Sequence, residues 1–450
     1  MEQLARKLRA LDYFTLGFGS MVGVGWLVVM DDWLSRGGPL GALLGFGLGG
    51  AALVPVAYVY GRLATELPQA GSEMAYAEHG FGPRAGFAAG WLMALTYLVV
   101  CPWEAVAIGK LVSWIFPGLS SLELYRVAGK PVYLPHLVLG LGLTALLTFI
   151  NHRGVRNSAT FQNWTTLGLL ALFVVFASAG VTHGSTANFT PLFSEAGGWV
   201  STLLVLQVVP YFMVGFDSVP KGAEEARLDF RARGFTGVIL LALGVGIFFY
   251  TSIISVVAWI SPWQSLVKER FATAVAFERA LGARWIVDVI FAAALLSLLK
   301  VFNGNFVAAS RMLFALGRRG MVDGRLGHIH SRHQTPSAAV LCVGVVTAVG
   351  ALLGEALLIP VTEVGSLTAA VGWFAACAAW WRLRPEPAQR AVSLAGMLVA
   401  GAMLAMKVLP FIPGHFSVAE FAVLAGWIGL GLVLSRRARS QSQAAPLPPG

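Results

Sequence analysis

Twelve long apolar runs alternate with short polar stretches along the 450-residue chain, at about 11–35, 39–61, 84–115, 132–150, 158–180, 197–220, 234–260, 285–316, 335–354, 362–382, 391–410 and 416–435. The hydrocarbon core of a bilayer takes about 20 apolar residues per helix. The pattern therefore predicts an all-α polytopic membrane protein with twelve transmembrane helices, numbered 1–12 in that order, forming one transmembrane domain over residues 1–435. Two stretches depart from it. Residues 262–283 mix Lys268, Glu269, Arg270, Glu278 and Arg279 with Phe271, Val275 and Phe277; this predicts an amphipathic helix lying on the outer face, as a lid or a connector. Residues 436–450 are basic and then rich in Ser, Gln and Pro, which predicts a disordered cytoplasmic tail.

Composition agrees with lipid as the solvent. Hydrophobic residues make up 57% of the chain and charged residues 12%, against about 25% charged in a soluble domain. A net charge of +10 suggests nucleic acid as a partner, but the charges lie in short loops between apolar runs, which removes that reading. With the N-terminus inside, 22 basic residues fall on the cytoplasmic side and seven on the other. This bias predicts both termini in the cytoplasm of an inner cell membrane. The basic start (Arg6, Lys7, Arg9) runs into helix 1 without a cleavage site, so that helix is expected to remain as an anchor. Cys101, Cys342 and Cys377 lie in apolar runs with no zinc or disulfide spacing. No cofactor and no metal site is expected, and His328, His330 and His333 read as a loop cluster.

Helices 1 and 6 are interrupted. Helix 1 carries Gly17, Gly19, Gly23 and Gly25 within nine residues, and helix 6 carries Pro210, Gly215, Asp217 and Pro220. Unwound backbone at membrane depth is tolerated where it lines a protein cavity; close helix packing through small residues is the other reading of the glycines. Breaks at corresponding places in two halves point to an inverted-repeat transporter with its site at the breaks. Helices 1–5 (about 11–180) and 6–10 (about 197–382) would be the halves, with helices 11 and 12 (about 391–435) appended. The N–H groups opening the second half of helix 1, at Val24–Trp26, suit a carboxylate. The carbonyls ending the first halves, near Val22 and near Tyr211–Val214, suit an ammonium. Asp217 either caps the second half of helix 6 or meets an amine or proton.

Five stretches resemble the amino acid–polyamine–organocation superfamily. GSMVGVGWL (19–27) is similar to its first-helix signature G-x-x-I-G-x-G-I-F. ELPQAGSEMAYAEHGFGPRAGFAAGW (66–91) is similar to the passage from helix 2 to helix 3, and NHRGVRNSATFQ (151–162) to the loop between helices 4 and 5. GFDSVPKGAEEA (215–226) resembles the break in helix 6, and SRMLFALGRRGMVD (310–323) the end of helix 8. The matches keep their order over residues 11–340. The resemblance implies the five-plus-five inverted repeat and secondary transport of amino acids, polyamines or amines. It implies that Gly23, Val24 and Gly25 receive the carboxylate, that Val22, Tyr211 and Val214 offer carbonyls to the amine, and that Tyr211 is a gating aromatic. Ser72-Glu73-Met74, Trp26 and Arg318-Arg319 depart from the family pattern, which bears on substrate and cytoplasmic gating.

Ionisable residues at membrane depth need a reason. Lys110 and Lys407, near helix ends, are expected to snorkel to the headgroups. Glu104, in helix 3, would receive a cationic group, carry a proton or form a structural ion pair. Lys300, in helix 8, would replace the cation that sodium-coupled relatives hold between helices 1 and 8 and couple transport to protons, or would pair with an acid such as Glu104. Asp217 and Lys221 are spaced to pair on one helical face. Glu224 and Glu225 would bridge to inner-face arginines as a gate, or lie solvated. The candidate substrate site is Met21, Val22, Gly23, Val24, Gly25, Trp26, Glu104, Tyr211, Val214, Gly215 and Asp217, with Lys300 and Glu104 for proton coupling. The function expected is proton-coupled uptake of an amino acid or amine by alternating access. Exchange of one substrate for another is the alternative, and a non-transporting sensor a further one. No enzymatic constellation is present. The expected partners are the small substrate, protons and membrane lipid.

Overall fold

The computed structural model describes residues 4, 6–231 and 234–444. Its helices are α1 (Ala10–Met21), α2 (Gly25–Val28), α3 (Met30–Ala52), α4 (Val54–Glu66), α5 (Glu73–Phe81), α6 (Pro83–Ile115), α7 (Leu134–Arg153), α8 (Val155–Val181), α9 (Gly198–Leu206) and α10 (Val209–Met213). A 3-10 segment (Phe216–Glu225) follows, and then α11 (Leu228–Arg231), α12 (Thr236–Ile260), α13 (Trp263–Leu266), α14 (Ala272–Leu281), α15 (Arg284–Arg318), α16 (Ser337–Ala351), α17 (Leu358–Leu383), α18 (Pro387–Val408) and α19 (Val418–Ala444). Among the described residues, ten helical stretches are long and apolar enough to cross a membrane. The bent pair Gly198–Leu206 and Val209–Glu225, at 46°, and the shorter apolar helix Ser337–Ala351 stand where helices 6 and 9 were expected.

The two breaks fall where Gly and Pro interrupt the apolar runs. Between α1 and α2 the chain leaves helical geometry at Val22 (φ −90, ψ 89). Between α10 and the 3-10 segment, Gly215 takes φ 150, a conformation that favours glycine. Within α3, Gly38 (φ 62, ψ 179) precedes Pro39 and turns the chain between the first two expected spans. An added Cβ at Gly38 would lie 2.7 Å from the Phe193 backbone.

The core runs between the broken spans and the long helices α6, α12, α15 and α17. Trp33, Phe46, Phe212 and Tyr250 form one aromatic cluster across four spans, with ring centroids 4.6 Å (Trp33–Phe46), 4.9 Å (Trp33–Phe212) and 4.9 Å (Phe46–Tyr250) apart. The Trp33–Phe212 contact is edge-to-face, at 82°, and such contacts add to the burial of the rings themselves.

Several expectations change. The fold is not wholly helical: Glu123–Val127 and Lys130–Tyr133 pair as an antiparallel hairpin (β1, β2) between α6 and α7. Its two-residue loop places both Ala128 (φ 47) and Gly129 (φ 77) at positive φ, as tight hairpin turns require. The stretch 262–283 is two helices, α13 and α14, separated at left-handed Phe271 (φ 58). α14 is amphipathic, with Glu278 and Arg279 on its outer side and the other face turned into the protein. Ala272, Thr273, Ala274, Ala276 and Phe277 are buried, and Thr273 Oγ1 donates to the Trp26 carbonyl at 2.7 Å. Lys407 does not snorkel; it is 2% exposed and paired with Glu363 of α17. The last helix continues to Ala444, because Arg, Ser and Gln up to that point tolerate helix and Pro first appears at 446. The remainder of the expected tail lies outside the described residues.

Candidate functional site

A small cavity lies between the two breaks. Seven expected residues line it: Met21, Gly23, Val24 and Gly25 from the first break, Glu104 from α6, and Tyr211 and Val214 from the second. Its polar character is divided. Among the described residues, the N–H groups of Val24, Gly25 and Trp26 have no hydrogen-bond partner, because they open a new helical stretch. At the second break, the carbonyls of Tyr211 and Val214 accept no hydrogen bond from the described residues. Of the residues that line the cavity, Val24 and Gly25 thus carry open donors and Tyr211 and Val214 open acceptors.

Phe212 stands against Gly25, where an added Cβ would lie 2.5 Å from the Phe212 ring. Glu104 is 2% exposed, and its Oε2 has no hydrogen-bond partner among the described residues. Its Oε1 would lie 3.2 Å from a Cβ added at Gly23, which places the carboxyl beside the donor wall.

Five expected residues lie elsewhere. Val22 is fully buried, and its carbonyl is already engaged. Lys300 Nζ donates to it and to the Gly19 carbonyl (3.3 Å), and Ser297 Oγ lies 2.9 Å from it. Val22 therefore does not offer its carbonyl to a ligand in this arrangement. Lys300 sits behind the break with its ammonium 5.2 Å from the centre of the Phe18 ring, and among the described residues its hydrogen bonds go to the Gly19 and Val22 carbonyls rather than to Glu104. Trp26 turns away to stack on Phe176, with ring centroids 5.4 Å apart. Gly215 packs on the backbone of Met21 and Gly17. Asp217 caps its own break: Oδ1 accepts from the Gly215 N–H at 2.9 Å, and Oδ2 accepts from Trp373 Nε1 at 2.8 Å.

The spacing of Asp217 and Lys221 does not produce a carboxylate–ammonium pair. Lys221 Nζ donates to the Asp217 carbonyl (2.7 Å) and to Glu73 Oε1 (2.6 Å). Glu73 and Lys221 are both fully buried, and Tyr60 Oη donates to the same carboxylate oxygen at 2.8 Å. Removing two charges from water costs several kcal/mol per ion, so such a pair depends on these further partners. Nearer the basic face, Glu225 pairs with buried Arg311 at 2.8 Å, Glu224 with Arg318, and Glu78 with Arg319 at 2.7 Å. Glu224 and Glu225 are thus bridged to arginines of α15 and its C-terminal end.

Sequence reasoning missed Ser20, Val100, Trp103, Phe212, Val301 and Asn305, which complete the cavity lining. Asn305 carried a signal, as one of two asparagines in the middle of an apolar run. It donates to the Ser20 carbonyl at 3.2 Å. The apolar members carried none.

His330 and His333 gather with His152, their ring nitrogens within 4.8 Å of one another. Burial and the neighbouring His330 and His152 lower the pKa of His333 below the ordinary imidazole range. His330 Nδ1 accepts the N–H groups of Arg332 and His333 (both 3.2 Å).

Comparison with known proteins places the chain in a family. The sequence model of the amino acid permease family matches residues 8–433. The methylthioribose transporter of Bacillus subtilis (strain 168) is 26% identical over 380 residues, covering 82% of this chain and 79% of the relative. The branched-chain amino acid permease BcaP of the same organism is 24% identical over 445 residues, covering 96% and 93%. A probable GABA permease of Pseudomonas aeruginosa is 27% identical over 369 residues, covering 78% and 71%. With its many apolar spans and the cavity at its paired breaks, the chain is a multi-pass membrane protein of the amino acid permease family, within the amino acid–polyamine–organocation superfamily.

Proposed function

We propose that this permease takes up an α-amino acid, or a related amine, together with a proton by alternating access. The observation that carries the reading is the divided cavity. Open N–H groups at Val24–Trp26 suit a carboxylate, and open carbonyls at Tyr211 and Val214 suit an ammonium. A zwitterionic backbone satisfies both walls at once, and buried polar groups left unpaired are costly. Two inverted halves of five spans with two further spans appended, twelve in all, and both termini cytoplasmic complete the proposed architecture, and the pair of breaks supports it.

Proton coupling rests on Glu104. A substrate carboxylate on the donor wall would face the Glu104 carboxyl, and two adjacent carboxylates repel in a buried site. A protonated Glu104 removes that repulsion and donates a hydrogen bond, so substrate and proton would bind together. Lys300 would act as the fixed cation holding the end of α1, through the Gly19 and Val22 carbonyls. The ion pairs of Glu224 and Glu225 would close the cytoplasmic side, and α14, fastened to Trp26, would move with the second half of the first broken span.

The test is uptake of a labelled amino acid panel into proteoliposomes, with and without an inward proton gradient. Gradient-driven accumulation is expected. Movement only against internal substrate would replace symport with exchange, and binding without passage would make the protein a sensor.

A further inference from the structure

A second cavity, with about 960 Å³ of empty space, opens on the basic face, away from the substrate site. Three separate parts of the chain line it with cations: Arg6, Lys7 and Arg9 from the leading segment, Arg156 from the first turn of α8, and Arg227 from the stretch after the 3-10 segment. The leading segment is held in place. Leu4 and Leu8 are buried, Leu8 N–H donates to the Glu225 carbonyl at 3.0 Å, and Arg227 N–H donates to the Leu8 carbonyl at 3.0 Å.

The single carboxylate in the lining does not balance this charge. Asp12 Oδ2 accepts from the Arg9 backbone N–H and Oδ1 from Asn163 Nδ2, both at 2.7 Å. Among the described residues, Arg6, Lys7, Arg9 and Arg156 form no ion pair, and only Arg227 has a carboxylate partner, the exposed Asp229. A cavity that gathers five cations around one engaged carboxylate suits a phosphate anion.

The surface beside it indicates the source. From Arg156 and Thr160, the exposed face of α8 continues at helical spacing through Trp164 (76% exposed), Leu167 (44%) and Val174 (61%). An apolar stripe rising from a basic cavity, with a tryptophan at the junction, matches a lipid whose headgroup stays at the interface while its chain lies along the helix. We propose that this cavity binds the headgroup of an anionic phospholipid, with an acyl chain along α8. The headgroup would touch the leading segment that is bonded to Glu225, so the site would brace the ion-paired region on this face.

The experiment uses the full-length purified protein in detergent. Phosphatidylglycerol, phosphatidylcholine and inorganic phosphate are titrated while bound lipid is counted by native mass spectrometry and the melting temperature is followed. Phosphatidylglycerol should bind and raise the melting temperature, and the other two should not. Arg9→Gln with Arg156→Gln should weaken phosphatidylglycerol binding about thirtyfold, at roughly 1 kcal/mol per surface cation. The same loss of charge through Arg270→Gln with Arg284→Gln, on the opposite face, should leave it unchanged. Arg156→Gln alone, an exposed position, gives about fivefold and serves if the double variant misfolds. Equal binding of inorganic phosphate overturns the lipid assignment in favour of a soluble anion. Equal loss in both double variants, or no preference for phosphatidylglycerol, overturns the site.

Discussion

The two breaks are marked alike in sequence, each by helix-weakening residues in an apolar span (glycines in the first, Gly215 with Pro210 and Pro220 in the second), yet they present opposite chemistry. At the first, the carbonyls ending α1 are taken by Lys300 and Ser297 of α15, and the N–H groups that open the next stretch are left free. At the second, Asp217 engages the Gly215 N–H, and the carbonyls of Tyr211 and Val214 are left free. Each break closes one end of its interrupted hydrogen-bond ladder and leaves the other to the cavity. A site for a zwitterion follows from that asymmetry more directly than from either break alone.

The strongest way to break the comparison is to obstruct the donor wall. Gly25→Val should lower substrate affinity by upwards of about a hundredfold, since a side chain there meets Phe212 and displaces bonds to a charged ligand worth about 1.5–3 kcal/mol each. Calorimetric binding on the purified variant, with monodisperse elution as the folding control, would show it. Retained affinity would remove the carboxylate from this wall. Glu104→Gln should keep substrate binding but lose gradient-driven accumulation and flatten the pH profile of uptake, because glutamine mimics the protonated acid at every pH. A wild-type pH profile in proteoliposomes would dismiss Glu104 as the proton carrier.

Asp217 tests the acceptor side. Asp217→Asn weakens the cap and should cost about 1–3 kcal/mol of stability. Trp373→Phe should give a smaller loss that is not additive with it, as a double-mutant cycle of melting curves would measure. If Asp217 instead met the substrate, Asp217→Asn would abolish binding while Trp373→Phe left it intact. The smallest effect is expected at Ser297→Ala, where a hydroxyl beside the Val22 and Gly23 carbonyls is lost at about 1 kcal/mol. Lys300 remains to hold the turn, so uptake should fall only a few fold.

Much of this was legible in the chain. Apolar runs marked the spans, because lipid demands length and uniform hydrophobicity. Gly and Pro marked the breaks, because they weaken or cannot continue a helix. The bridging of Glu224 and Glu225 to arginines was foreseen as one of two outcomes. The hairpin at 123–133 was hidden because its strands are short and mostly exposed, with only Val132 buried. The roles of Val22 and Lys407 were misjudged, and the two readings of Asp217 left open, for a common reason: each has a partner far away in sequence. Lys300 reaches Val22 across 278 residues, Trp373 reaches Asp217 across 156, and Lys407 reaches Glu363 across 44.

The amino-acid sequence by itself determined that this chain spans a membrane many times, where two of its spans are interrupted, and which family it resembles, since these depend on local length, composition and order. Which backbone groups at each interruption remain open was decided only by the tertiary structure. A free N–H or carbonyl is defined by the absence of a partner, and the partners that remove Val22 and Asp217 from the cavity arrive from α15 and α17.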